Sequence, residues 1–195
     1  MTLALFDFDG TITDRDSLTD FIRFAVSKKR LIFGAVVLAP ILLLFVLRIV
    51  SDAKAKRAAL RHFFGGSDHN ELQVIADRYS ETGIDKITRS KAMERIAFHH
   101  KNGHKIVIVT ASIELYIKKW CDKNNIELIA TKAEVINGVF TGNLASKNCK
   151  GFEKISRIKE RFDLSQFNEI YAYGDTPPDR AMFSIATHSE YKPFV

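Results

Sequence analysis

Acidic and hydroxyl side chains follow three short apolar segments of this 195-residue sequence. They are Asp7 and Asp9 at the end of residues 3–8, Thr110 and Ser112 after residues 105–109, and Asp175 and Asp179 after residues 169–173. Carboxylate oxygens suit Mg²⁺, which proteins often bind through one or two carboxylates together with a substrate phosphate. Hydroxyls and the amides at helix N-termini suit phosphate oxygens. These residue types therefore predict a site for a divalent cation and a phosphate group.

The first pair of acids has a spacing that directs both carboxylates into one pocket. Residues i and i+2 of a strand lie on the same side, so Asp7 and Asp9 face the same way. Gly10 lets the backbone turn closely around a ligand before Thr11. Two close carboxylates repel each other unless a cation or a proton separates them. The spacing therefore indicates a functional pair.

The segments that carry these residues alternate with helical patterns. Residues 113–124 and 178–186 have helical periodicity directly after the second and third apolar segments. Strand, polar loop and helix, repeated, are typical of a parallel sheet whose ligands lie beyond the carboxyl ends of the strands. A further strand is predicted at 126–131, a hairpin arm at 139–141 and a helix at 152–162. The acids and hydroxyls are therefore expected to converge in an α/β fold.

The segment between the first strand and the rest of the sheet is different. Residues 17–101 have mostly helical periodicity, with Gly65-Gly66 as a break and Ser67 or Asp68 as the cap of the next helix. This pattern predicts a helical insertion after the first strand. We expect residues 1–14 and 102–195 to form the core and residues 15–101 to form a cap, with approximate edges.

Four motifs in this order resemble those of the haloacid dehalogenase-like (HAD) hydrolases. They are DFDGT at 7–11, TAS at 110–112, lysines at 150 and 154, and GDTPPD at 174–179. The insertion after the first motif, with GHKIVIVTAS and NCKGFEK, is similar to subfamily IB, which contains phosphoserine phosphatases and phosphatidylglycerophosphatase C-like proteins. The resemblance implies a Rossmann-like core with a parallel sheet and a helical cap inserted after the first strand.

The resemblance also implies roles for individual residues. Asp7 would attack phosphorus and become an aspartyl-phosphate, and Asp9 would protonate the leaving alkoxide and then activate water. Mg²⁺ would be bound by Asp7, the Asp9 carbonyl and Asp175, with Asp179 supporting them. The residues expected around the substrate phosphate are Gly10, Thr11, Thr110, Ala111 and Ser112.

Two assignments stay open at this level. Phosphoserine phosphatases resemble this chain with the phosphate-binding lysine at Lys150, whereas the lipid-phosphatase-like branch is closer with Lys154, which we favour. Asp16 occupies the place of a substrate-sensing acid. Asp16, Arg57 and Arg61 are candidates for substrate specificity, although no carboxylate-clamp pattern surrounds the two arginines.

The excess of positive over negative charge lies in one early segment of the chain. Residues 15–61 contain ten basic and three acidic residues, which leaves 19 basic and 20 acidic residues elsewhere and accounts for the formal net charge of +6. The same segment contains Leu31–Leu47, seventeen residues without a charge, close to the ~20 that span a bilayer. A single span would separate Asp7 from Asp175, so it is excluded.

Pro40 divides this apolar run into two pieces of about half a bilayer core each. We therefore expect a helical hairpin that enters one leaflet, with residues 28–57 in contact with an anionic membrane surface. The alternative is a helical pair packed within the cap or against a partner subunit. The sequence leaves the oligomeric state open.

The resulting hypothesis is a Mg²⁺-dependent phosphomonoester hydrolase acting on a membrane-proximal or lipid phosphate such as phosphatidylglycerophosphate. The alternatives are a soluble phosphatase of phosphoserine or another small metabolite, and a non-catalytic membrane or nucleic-acid binding protein. No RNA-binding or recognition-helix pattern occurs, so nucleic acid is not expected as a partner.

Further sequence features bear on the compartment and on the histidines. Two cysteines without metal or disulfide spacing, and the absence of a signal-peptide pattern, predict a cytoplasmic location, peripheral on the cytoplasmic face of the inner membrane. His99, His100 and His104 are expected on the solvated surface, without a role in catalysis.

Overall fold

A computed structural model describes residues 1–195 as a parallel sheet with helices on its faces and a smaller sheet beside it. The strands are β1 (Thr2–Phe6), β2 (Ser67–Asp68), β3 (Lys105–Ile113), β4 (Glu127–Thr131), β5 (Ala133–Ile136), β6 (Val139–Leu144), β7 (Glu169–Gly174) and β8 (His188–Tyr191). The α-helices are α1 (Ser17–Ala25), α2 (Lys28–Val46), α3 (Asp52–Phe64), α4 (His69–Thr82), α5 (Ser90–Lys101), α6 (Glu114–Lys123), α7 (Phe152–Arg161) and α8 (Arg180–Phe183). The predicted α/β class with a parallel sheet is confirmed.

The main sheet has the order β4-β3-β1-β7-β8, and every neighbouring pair in it is parallel. β1 lies at its centre, and Leu3 to Phe6 are fully buried because helices cover both faces. Alternate residues of β1 join the two apolar clusters, with Phe6 in one and Leu5 in the other. This arrangement brings the carboxyl ends of β1, β3 and β7 to one edge of the sheet.

The helices between β1 and β3 do not all pack in the same place. The Asp68 carboxylate begins α4 by accepting hydrogen bonds from Asn70 N at 2.9 Å and Glu71 N at 3.0 Å, in line with the predicted cap. β2 pairs with β6 of the hairpin arm. α5, although it lies within the predicted cap, contacts β3 of the main sheet. The boundaries of the cap at residues 15 and 101 stay a prediction.

The apolar run forms one helix, so the prediction of a hairpin divided at Pro40 is wrong. α2 is continuous over 19 residues and about 28 Å long. A proline removes one intrahelical hydrogen bond, and the leucine-rich sequence after it has the helix propensity to continue the helix. By length and composition alone, α2 could cross a membrane.

The chain turns back on itself between α2 and α3 and not at Pro40. These two helices pack against each other. A Cβ at Gly34 would collide with the Phe63 ring, and the Arg30 guanidinium donates to the Phe63 carbonyl at 2.5 Å. Gly34 and Leu38 are the buried residues of α2, and most of its other side chains are exposed. The alternative of a helical pair packed within the cap is met only along a narrow stripe of α2, and the alternative of a partner subunit stays a prediction.

One of the three histidines is also placed differently from the expectation. His99 is fully buried, and its Nε2 lies 3.0 Å from the Tyr173 hydroxyl while its Nδ1 lies 2.8 Å from Nδ1 of His104. Burial, followed by the nearby charges of His104, Arg95 and His100, lowers the pKa of His99 to about 4. The ring is therefore neutral in the folded protein at neutral pH.

We expect the contribution of His99 to stability to be lost as the pH falls from about 6.5 to about 4, because the unfolded chain binds a proton at His99 that the folded chain does not accept. The full contribution is about 3 kcal/mol. Thermal unfolding of the wild type and His99→Gln between about pH 7 and pH 4 measures it. Glutamine does not titrate, so the midpoint of the wild type should decrease relative to that of the variant over this range; parallel curves would contradict the prediction.

Candidate active site

A polar cavity of about 190 Å³ opens at the carboxyl ends of β1, β3 and β7. Eleven of its twelve lining residues are polar or charged, and Ala111 is the exception. The lining residues are Asp7, Asp9, Asp16, Asp52, Lys56, Thr110, Ala111, Ser112, Lys150, Lys154, Thr176 and Asp179. Residues more than 170 positions apart in the sequence thus meet in one site, as the strand-end pattern predicts.

A buried lysine lies between two of the carboxylates. Lys154 Nζ is 2.5 Å from Asp7 Oδ1 and 2.6 Å from Asp179 Oδ1. Burial opposes the charge on Lys154, but the two carboxylates outweigh it and raise the pKa of this ammonium. Burial raises the pKa of Asp7 to about 7, against the opposing charge of Lys154. Lys154 therefore orients Asp7 and favours its ionised form.

Asp9 lies on the same wall but has different partners. One of its oxygens accepts from Ser17 N at 2.7 Å, and the other accepts from the Ser112 hydroxyl. Burial and the charge of Asp16 raise the pKa of Asp9, while these hydrogen bonds oppose the shift. A carboxyl group with a raised pKa beside an oriented carboxylate is suited to general acid and base work.

Three carboxylates gather where a cation would be held. Oxygens of Asp7, Asp175 and Asp179 lie within 4.8 Å of one another. Thr11 donates to Asp175 Oδ1 at 3.2 Å, and a Cβ at Gly10, whose φ is +80°, would collide with the Asp175 carboxylate. One lysine offsets only part of this negative charge, and all the donors are hard oxygens, so the site fits a divalent cation such as Mg²⁺.

Asp179 also supports the site from behind. Burial alone would raise its pKa, but the charge and hydrogen bond of Lys154 and the hydrogen bonds from Thr176 outweigh burial and lower it. Thr176 N donates to the Asp179 carboxylate at 3.0 Å and its hydroxyl donates at 2.6 Å. Asp179 therefore stays ionised and keeps Lys154 in place.

The candidate phosphate-binding segment is the irregular end of β3. The pairing of β3 with β4 shifts register between Val109 and Ile113, which opens the backbone at Thr110–Ser112. Ser112 N donates to Thr110 Oγ1 at 3.0 Å, and the Ser112 hydroxyl lies 3.1 Å from that of Ser17. The hydroxyls of Thr110 and Ser112 are thus held at the cavity.

A family model for haloacid dehalogenase-like hydrolases matches residues 4–184. The chain belongs to this family. Protein CicA of Caulobacter vibrioides is 32% identical over 194 residues, which cover 98% of this chain and 86% of that protein. The prediction of a HAD hydrolase is confirmed.

Two solved structures have a similar fold. A protein of unknown function from Bordetella pertussis has a TM-score of 0.82 at 21% identity, and the aligned region covers 96% of this chain and 88% of the Bordetella chain. A phosphoserine phosphatase solved as a phospho-aspartyl intermediate analogue has a TM-score of 0.67 at 18% identity, and the aligned region covers 96% of this chain and 84% of the phosphatase chain. These similarities establish a fold shared with HAD proteins.

Within this HAD hydrolase, the two lysine candidates lie in different surroundings. Lys154 is buried between Asp7 and Asp179, whereas the side chain of Lys150 is 41% exposed and lies 3.5 Å from Asp52. Both line the cavity, and the contact with Asp7 favours Lys154 for the role next to the phosphate.

Arg57 and Arg61 do not line the cavity, and their role in substrate specificity stays a prediction. Arg57 is exposed, and Arg61 donates to the Asn143 side chain at 2.5 Å. Each residue of a helix is rotated by about 100° from the last, so the inward position on α3 falls to Lys56. Sequence reasoning missed Lys56 and Asp52, although their i, i+4 spacing on one face of a helix was a usable signal.

Proposed function

We propose that this HAD hydrolase cleaves phosphomonoesters through an aspartyl-phosphate on Asp7. The observation that carries the proposal is the contact of Asp7 with Lys154 in the same cavity as Asp9. Asp7 forms a bond to phosphorus as the ester bond breaks, and Asp9 gives its proton to the departing oxygen. Asp9 then takes a proton from water, which attacks phosphorus and releases Asp7.

The rest of the site stabilises charge during both steps. Lys154 would offset negative charge on the transferred group, and the hydroxyl of Thr110, or that of Ser112 once it is released from Asp9, would donate to its oxygens. Mg²⁺ held by Asp7, the Asp9 carbonyl and Asp175 would neutralise the phosphate and the attacking carboxylate. An acid at position 9 supports a phosphate ester as substrate, because an alkoxide leaving group needs a proton and a halide does not.

We infer further that α2 docks on an anionic membrane surface. Residues 31–47 carry no charge, and the outer side chains Val36 and Leu43 are 70% and 60% exposed. A helix that is apolar on all sides is normally covered, and here only one stripe meets the protein. Since α3 lies between α2 and the catalytic cavity, α2 would lie along the membrane rather than across it.

The basic residues around α2 support a negatively charged surface as its partner. Lys28, Lys29 and Arg30 occupy the first turn, where cations oppose the helix dipole and do not stabilise the helix. Lys54 and Arg57 are exposed on the neighbouring helix. Long basic side chains beside an apolar face suit lipid phosphates, with each contributing about 1 kcal/mol near such a surface.

This placement supports a lipid phosphate, such as phosphatidylglycerophosphate, as substrate on the cytoplasmic face of the membrane. The cavity is small and polar, so it would take the phosphate and an adjoining polar group. The acyl chains would stay outside, beside α2. Substrate would then reach Asp7 without leaving the lipid layer.

We expect the wild type to bind anionic vesicles and Val36→Asp/Leu43→Asp to bind at least tenfold more weakly. Each buried apolar side chain is worth about 1.5 to 3 kcal/mol, and a factor of ten is about 1.4 kcal/mol. Flotation with vesicles of mixed anionic and neutral lipid measures binding. Val74→Asp on α4 is a matched control, because Val74 is 60% exposed and far from α2 in sequence.

The outcomes separate the available partners of α2. Equal binding of wild type and double variant would exclude α2 as the contact. A wild type that forms dimers, a double variant that is monomeric and no vesicle binding by either would assign the apolar face to a second copy of the chain.

A soluble phosphorylated metabolite, including phosphoserine, is the alternative substrate. The observation in its favour is the mixture of carboxylates and ammonium groups in a small cavity, which suits a compact charged molecule. Phosphate release from a parallel panel of vesicle-borne lipid phosphates and soluble phosphomonoesters decides between the two. A preference for soluble esters, unchanged by vesicles, would overturn the lipid assignment.

A further inference from the structure

We propose that Lys56, on the cap helix α3, is a positioning residue for the phosphate-binding segment 110–112. The inference rests on the proposed phosphatase activity but not on the nature of the substrate. Its basis is a junction of side chains that joins α3 to the end of β3 and to the loop before α7.

Lys56 reaches from the cap into the cavity. Its side chain is 10% exposed, and Nζ donates to the Ala111 carbonyl at 2.6 Å and to Asn148 Oδ1 at 3.1 Å. Its nearest carboxylate, that of Asp52, is 3.9 Å away. The two hydrogen bonds that Lys56 donates thus go to neutral oxygens of the core. Burial of a charged group without a close countercharge is unfavourable, which indicates that Lys56 is there to hold these oxygens.

The bond to Ala111 fixes one peptide plane of the phosphate-binding segment from both sides. The carbonyl of Ala111 and the N–H of Ser112 belong to the same peptide unit. Lys56 holds the carbonyl, and Thr110 Oγ1 accepts from the N–H at 3.0 Å. The orientation of this plane determines where Ser112 lies, and the Ser112 hydroxyl in turn donates to Asp9.

The same ammonium also changes the electrostatics of the segment. A carbonyl oxygen facing the cavity would repel a phosphate dianion, and a cation bonded to that oxygen offsets the repulsion. If Lys56 is lost, the peptide is free to rotate and its carbonyl is left without a donor. Phosphate binding should therefore suffer more than the chemical step.

Asn148 extends the junction to the loop that precedes Lys154. Its Nδ2 donates to Asp52 Oδ2 at 3.0 Å, and its Oδ1 accepts from both Lys56 and the Thr131 hydroxyl, the latter at 3.3 Å. Asp52 lies one turn before Lys56 on α3. One turn of a cap helix thus holds the β3 end and the loop before α7 at a fixed separation.

The test compares Lys56→Met with the wild type, using p-nitrophenyl phosphate as substrate and inorganic phosphate as inhibitor. We expect KM and the phosphate Ki to rise about tenfold or more, which is the loss of one charge-assisted hydrogen bond, while kcat changes by less than about threefold. Lys56→Arg should recover most of the loss, since it retains the charge and donors. Lys91→Met, an exposed lysine on α5, is the matched control.

The readouts separate positioning from a merely structural role. A structural role would lower the melting temperature and the active fraction, and so kcat, with KM and Ki unchanged, and this result would overturn the inference. If Lys56→Met does not fold, Lys56→Gln replaces the ammonium with a shorter neutral group, and an unchanged Ki in that variant would equally overturn it.

Failure of the proposed function gives a different pattern. An inactive wild type would overturn the phosphatase proposal, whereas an active wild type with Ki values equal to those of Lys56→Met would overturn only the role of Lys56. Calorimetric titration of inorganic phosphate into the same variants tests the phosphate-binding segment independently of turnover.

Discussion

Replacing Asp7 with asparagine should lower the rate of phosphate release by at least about a thousandfold. An amide has the size of a carboxylate but cannot attack phosphorus, so the covalent intermediate cannot form. Acid quenching after a single turnover with ³²P-labelled substrate should label the wild-type chain and leave Asp7→Asn unlabelled. Equal turnover of both proteins would exclude Asp7 as the nucleophile.

The surroundings of Asp7 make this test interpretable. Lys154 keeps its second carboxylate partner, Asp179, at 2.6 Å, so the variant does not leave a buried charge without compensation. Melting temperatures of the two proteins check that the fold is retained. Asp122→Asn is the control, because Asp122 is an exposed aspartate paired with Lys118 on the surface and should retain full activity.

The variant Asp9→Asn should show a second large effect, which depends on the leaving group. General acid catalysis contributes about 10²- to 10⁴-fold, so hydrolysis of an alkyl phosphate should fall by at least about a hundredfold. An aryl phosphate needs less help in the first step, because its phenolate leaves without a proton. The second step still needs Asp9 to activate water, so the aspartyl-phosphate should accumulate.

Rapid mixing of Asp9→Asn with p-nitrophenyl phosphate should therefore give a burst of one nitrophenol per active site, followed by slow turnover. Asp16→Asn is an informative comparison, because Asp16 lines the same cavity and is expected to leave this burst absent. A variant with equal losses for aryl and alkyl substrates and no burst would contradict the assignment of Asp9 as acid and base.

Together these results would define a reaction whose reacting groups follow the ends of the strands and are held in position by residues of α1 and α3. Asp7 and Asp9 follow β1, and their partners come from β3, β7 and α7. α1 supplies Ser17 to Asp9, and α3 supplies Lys56 to Ala111. A shift of α1 or α3 would thus alter both Asp9 and the phosphate-binding segment.

The sequence by itself determined the central sheet and the position of the acids. Short apolar runs such as residues 3–6 and 105–109 are typical of parallel strands that helices bury on both faces, so β1 and β3 were predictable. Parallel strands carry their following loops to one edge. Asp7, Thr110 and Asp175 could therefore be assigned to one site, because local patterns suffice for that step.

Only the tertiary structure decided which cap residues take part and which lysine approaches Asp7. The choice of Lys56 over Arg57 depends on the rotation of α3 about its own axis, and a shift of one residue moves a side chain by about 100°. The burial of His99 depends on α5 packing against the sheet. The exposure of α2 depends on how little of it α3 covers. Each of these is set by packing between distant segments, and the pattern within a segment does not contain that information.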